Sequence, residues 1–152
     1  MRKLLLLAFP MLFFGCSSEK GEGPVFASEG VAIGGYDLVA YFEQGEPKIG
    51  IKAESVEHNG FTYLFSSKEN KELFQENPGK YLPAYGGWCA YAVAETSSRM
   101  APNPEIWQIQ DGKLQLFYDD WKTRLFGSLK SEWNEDPDDF KSRADVNWQK
   151  MN

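Results

Sequence analysis

Histidine occurs once in this chain, at His58, and cysteine twice, at Cys16 and Cys89. Two cysteines exclude a disulfide framework, and a single histidine excludes paired-histidine metal motifs. There is no phosphate-cradling glycine loop and no Ser-His-Asp arrangement. No apolar run approaches the roughly 20 residues needed to span a bilayer; the longest, Leu4 to Phe14, is eleven residues, all apolar or proline. Positive charge is in deficit: 16 Lys and Arg stand against 22 Asp and Glu, a formal net charge of −6. That balance argues against nucleic acid as a partner and against charge-driven binding to anionic lipid.

What is present begins with an address. Met1-Arg2-Lys3 precedes the apolar run, and Gly15-Cys16-Ser17-Ser18 follows it. Two positive charges and a short apolar stretch fit a secretory leader. A small residue directly before a cysteine at the end of such a run resembles a bacterial lipoprotein signal. The resemblance implies cleavage before Cys16, lipid on Cys16 as the membrane partner, and a place in the cell envelope, periplasm-facing or at the outer membrane. An ordinary cleaved secretory peptide with Cys16 incidental is the alternative. The expected organisation is a signal peptide at 1–15, a flexible tether at 16–30 and one domain at 31–152. Ser, Glu, Lys and Gly dominate the tether, where only Val25-Phe26 could dock. The leader carries +2, so the mature chain is near −8.

Within the domain, Leu38 to Phe42 is a buried strand or a short helical turn. Ile51 to Glu57 and Phe61 to Phe65 read as strands joined at His58-Asn59-Gly60, and Asn-Gly is a strong hairpin signal. Ser66-Ser67-Lys68-Glu69 reads as a capping box, with Ser66 accepting from the Glu69 amide. The helix that follows should turn Leu73 and Phe74 inward and stop at Pro78-Gly79. Thr96 to Pro104 is a loop. Glu105 to Ile109 and Lys113 to Tyr118 make a second hairpin about Asp111-Gly112. Two helices close the chain. In the first, Trp121, Leu125, Leu129 and Trp133 recur at four-residue spacing. In the second, Asp136 caps, Pro137 takes the first position, and Phe140, Ala144 and Trp148 form the stripe. The predicted fold class is α+β.

The stretch with the strongest chemical character is Tyr81-Leu82-Pro83-Ala84-Tyr85-Gly86-Gly87-Trp88-Cys89-Ala90-Tyr91. It joins a lone thiol to aromatics and a glycine pair. Two uses of Cys89 stay open: core packing, since cysteine is among the most buried residues, and ligation. As a ligand it would bind copper(I), with Met100 and His58 as soft partners. Tyr85, Trp88 and Tyr91 are the candidate pocket aromatics. A catalytic thiol is the least favoured use, because no charged residue between Tyr81 and Ala94 could lower its pKa.

Gly35-Tyr36-Asp37-Leu38-Val39-Ala40-Tyr41-Phe42, Asn59-Gly60-Phe61-Thr62-Tyr63-Leu64-Phe65-Ser66-Ser67 with Asn70 and Phe74, Asn77-Pro78-Gly79-Lys80-Tyr81, and Gly86-Gly87-Trp88-Cys89-Ala90-Tyr91 occur in that order. Together they resemble the YHS domain family, and its secreted branch in particular, over about residues 31–118. The resemblance implies a small β-hairpin-plus-helix unit, here with a second hairpin and two C-terminal helices. Metal-binding relatives, including the TRASH-type domains, place cysteines where this chain has Ala40, Ser66 and Asn70, so the family's zinc or copper site does not carry over. The expectation is a non-catalytic envelope lipoprotein that binds a metal ion such as copper, or a small ligand, near Cys89. The alternative is a structural or protein-interaction module with an inert, buried Cys89.

Overall fold

The computed structural model describes residues 23–152. The expected lipid-anchor position Cys16, the expected signal peptide at 1–15 and the first part of the expected tether lie outside the described residues. From Gly23 onward the chain is already packed. Strand β1 (Ala27–Ser28) pairs antiparallel with β2 (Val31–Ala32). The Phe26 amide donates to the Gly86 carbonyl at 2.9 Å, and Trp88 Nε1 donates to the Gly23 carbonyl at 3.2 Å. The Phe26 ring stands edge-on to Trp88 at 5.3 Å. The apolar pair Val25-Phe26 docks, as its composition suggests, and carries its neighbours with it. The packed region therefore includes residues 23–30, ahead of Val31.

The run after Asp37 resolves as helix α1 (Leu38–Glu43), because Asp37 caps it through the amides of Val39 and Ala40. Strand β3 (Ile51–His58) and strand β4 (Phe61–Phe65) form the first hairpin. Asn59 at φ 51° and Gly60 at φ 83° supply the two left-handed positions its two-residue turn requires. The sheet has the order β1-β2-β4-β3, with β2 and β4 parallel. Helix α2 (Lys68–Glu76) is capped by Ser67, which accepts from the Asn70 amide. The expected Ser66 cap is displaced by one residue because the Ser66 hydroxyl is committed to Asp37. Phe74 is buried as expected, whereas Leu73 is 36% exposed and does not face the core. Pro78 does not simply stop α2: with Asn77 as cap it opens helix α3 (Pro78–Tyr81).

A 3-10 turn at Ala84–Gly87 leads into helix α4 (Ala90–Thr96). Strands β5 (Asn103–Gln110) and β6 (Lys113–Phe117) form the second hairpin, with Asp111 and Gly112 both at positive φ in the turn. Strand β6 separates two cores. Leu114 and Leu116 join the first, with Leu38, Tyr41, Phe65 and Phe74. Phe117, on the opposite face, joins the second, with Tyr85, Trp88, Val93 and Trp133.

The C-terminal region departs from the predicted pair of helices. Gly127 at φ 117° breaks the first into α5 (Trp121–Phe126) and α6 (Leu129–Trp133), and Ser128 caps the second piece. The four-residue stripe is thereby split: Trp133 is fully buried, but Trp121 and Leu125 are 65% and 69% exposed. Helix α7 (Pro137–Met151) has the expected Asp136 cap, and Phe140, Ala144 and Trp148 pack into the second core. The fold is α+β. No helix among the described residues is long and apolar enough to cross a membrane.

Candidate functional site

Cys89 sits at the seam of α4 and β6 and is completely buried. Its amide donates to the Met100 carbonyl at 3.0 Å, and its Sγ accepts from the Tyr118 amide at 3.2 Å. Burial pushes the thiol pKa up, against the opposing pull of the Ala92, Tyr118 and Tyr91 amides. Met100 meets Cys89 through its backbone, and its side chain is 38% exposed. His58 belongs to the other core, edge-on to Phe74 at 5.7 Å and Tyr63 at 6.1 Å. It lines a separate recess of about 140 Å³ with Tyr63 and Leu82. The structure gives Cys89, Met100 and His58 no common centre. Among the described residues no group of three or more His, Cys, Asp or Glu side chains could hold a metal ion.

Ala40, Ser66 and Asn70 do come together, around the fully buried Asp37 carboxylate. Oδ1 accepts from the Val39 and Ala40 amides at 2.9 and 3.3 Å. Oδ2 accepts from the Ser66 amide, the Ser66 hydroxyl and Asn70 Nδ2 at 2.8, 2.6 and 2.7 Å. Five donors on one carboxylate satisfy a charge that burial would otherwise make costly. The knot ties α1 to the start of α2.

The three expected pocket aromatics diverge. Trp88 faces Phe26 and Gly23. Tyr91 donates its hydroxyl to Glu132 at 2.6 Å and lies against Phe140. Tyr85 lines a cleft. That cleft, of about 250 Å³, is walled by Pro83, Ala84 and Tyr85 from the 3-10 segment, Gln110, Lys113 and Gln115 from the second hairpin, and Lys141, Asp145 and Trp148 from α7.

The chemistry of the cleft is ordered by Asp145. Its Oδ1 accepts from the Tyr85 hydroxyl at 2.9 Å and its Oδ2 from Lys141 Nζ at 3.1 Å. Burial first, and the Asp145 carboxylate second, push the Tyr85 pKa well above its ordinary value, so this phenol remains a donor. The hydrogen bond to Asp145 also raises Lys141 and keeps it charged. Trp148 stands edge-on to Tyr85 at 6.2 Å. Gln110 is used at both ends: Oε1 accepts from Trp133 Nε1 at 2.9 Å and Nε2 donates to the Pro137 carbonyl at 3.3 Å. Tyr85 itself is left-handed, at φ 52° and ψ 35°. That conformation costs a non-glycine residue on the order of 1–2 kcal/mol, which the surrounding contacts must hold in place. Next to it, Gly86 cannot be replaced, because a Cβ there would overlap the Pro24 carbonyl.

Comparison with protein-family models, curated proteins and solved structures finds no match for this chain. The site must be read from its own residues. Sequence reasoning placed Tyr85 in a pocket but missed Gln115, Lys113, Lys141 and Asp145. Lys141 and Asp145 are four apart beside the Ala144 and Trp148 stripe, a signal that was available. For Gln115 there was none: an alternating strand makes it look solvated until the second core is known to cover that face.

Proposed function

We propose that this chain is a non-catalytic binding module of YHS type, held at the bacterial envelope by lipid on Cys16, with a small ligand seated in the cleft beside Tyr85. The observation that carries the ligand reading is convergence: three segments remote in sequence build one cleft around a tyrosine fixed in an unfavourable backbone conformation. The family resemblance is supported by the gathering of Ala40, Ser66 and Asn70, the positions at which metal-binding relatives carry cysteines, on one carboxylate. A polar knot stands there in place of thiolates. The non-catalytic reading is supported by the raised pKa and burial of Cys89, both unsuited to a nucleophile.

Two measurements test this. Replacement C16S should move the protein from the membrane fraction to the soluble fraction; persistence in the membrane would remove the lipid anchor. For the cleft, a library of small molecules titrated into isotopically labelled protein should shift the Trp148 indole and the Gln115 side-chain amide together and saturably. A library without one such compound would favour the second reading, an interaction module. The buried, hydrogen-bonded Cys89 is the observation on the side of that reading.

A further inference from the structure

We infer that the cleft takes a small organic carboxylate with a flat, apolar body, an inference that rests on the cleft being the ligand site. The hydrogen-bond inventory leads to the carboxylate. Both oxygens of Asp145 are occupied, one by Tyr85 and one by Lys141. Gln110 is occupied at both ends. Two further side-chain donors stand in the wall, Gln115 and Lys113. Gln115 is only 2% exposed; its Oε1 accepts from Gln108 Nε2 at 2.9 Å, and its Nε2 donates to no group among the described residues. Gln115 Nε2 is not among the fully buried atoms left without a partner, so it keeps access to the cleft that Gln115 lines, where an acceptor on a ligand can meet it. Lys113 sits at the exposed end of β6, gives one N–H to the Gly79 carbonyl at 2.6 Å, and bonds no carboxylate among the described residues. A neutral donor in the wall and a cation at the mouth together suit an anionic acceptor, which gains a charge-assisted bond.

The remaining walls set the body of the ligand. Tyr85 and Trp148 present two aromatic surfaces, and Pro83 adds an apolar edge. Arg99 lies over the Trp148 ring at 5.3 Å and fixes its plane. A volume of about 250 Å³ is below the range of drug-sized sites and corresponds to roughly eight waters of liquid. A single ring bearing a carboxylate is of that size.

The test uses the chain from residue 16 onward carrying C16S, with benzoate and phenylacetate as probes and benzamide as the uncharged counterpart. Both acids should shift the Gln115 side-chain amide and the Trp148 indole saturably, at least tenfold more tightly than benzamide. Substitution K113M should weaken both acids at least tenfold, and K113R should restore them; thermal melting of each variant checks that the fold is intact. Benzamide binding as tightly as benzoate, with the same resonances moving, would overturn the carboxylate and leave the cleft as a site. Silence of Gln115 and Trp148 toward all three probes would also overturn it, and the library titration then decides the cleft separately.

Discussion

Asp37 shows at the scale of one residue how a buried carboxylate organises the donors around it. Its carboxylate is the shared acceptor for five donors from two helix starts. Asp37→Ala would strand buried donors of Ser66 and Asn70 as well as the first amides of α1. A loss of about 3–5 kcal/mol is expected, the range for removing one partner of a buried charged network. The urea midpoint at constant slope reports it; a shift worth under 1 kcal/mol would mean that water replaces the carboxylate. Cys89 asks for less. Cys89→Ser places a hydroxyl in an apolar seam and should cost about 1–2 kcal/mol. In the unaltered protein a thiol reagent should modify Cys89 only on unfolding. Reaction at the native rate of a free thiol would contradict its burial. Of these two sites, the thiol was legible in the sequence as a packing candidate. The knot was not, since nothing local links Asp37 to residues 29 and 33 positions away.

Elements were legible where the deciding contacts are local. Both hairpin turns, the Asp136 cap and Pro137 start of α7, and the alternation of β6 act within a few residues of chain. The four-residue stripe from Trp121 to Trp133 misled because spacing assumes an unbroken helix, and Gly127 ends it after six residues. Helix α6 is then placed by its own contacts, one of which joins Glu132 to Tyr91 on α4. That hydrogen bond first, and burial second, push the Tyr91 pKa up to about 12 from an ordinary value of 10.0. The sign follows: the folded state favours the neutral phenol, so its contribution is full below pH 10 and is lost as pH rises from 10 toward about 12. Glu132→Gln removes the carboxylate and should bring this titration back toward 10, seen as phenolate absorbance appearing at lower pH than in the unaltered protein. Identical titration curves would mean that the α4–α6 contact does not form in solution.

At the largest scale the described residues form two cores on either side of β6, with the segment from Gly23 to Gly30 packed against them. Phe26 packs against both cores, and its carbonyl accepts from the Ile33 amide at 2.8 Å. A chain starting at Val31 should therefore be less stable than one starting at Gly23 by roughly 3 kcal/mol, the scale of one large apolar side chain removed from its packing. Comparison of their thermal midpoints checks this, and equal midpoints would return residues 23–30 to the role of a tether.

The amino-acid sequence by itself determined the α+β class, the two hairpins with their turns, and the capped α7, because turn and cap chemistry is settled among residues four or fewer apart. Only the tertiary structure decided which side chains meet. It sent Tyr85, Trp88 and Tyr91 in three directions, separated His58 from Cys89, and put Gln115 in the wall of a cleft with Tyr85 and Asp145, whose hydrogen bond spans 60 positions. Such meetings depend on how both faces of β6 are covered, and no periodicity along the chain encodes which element will cover a given face.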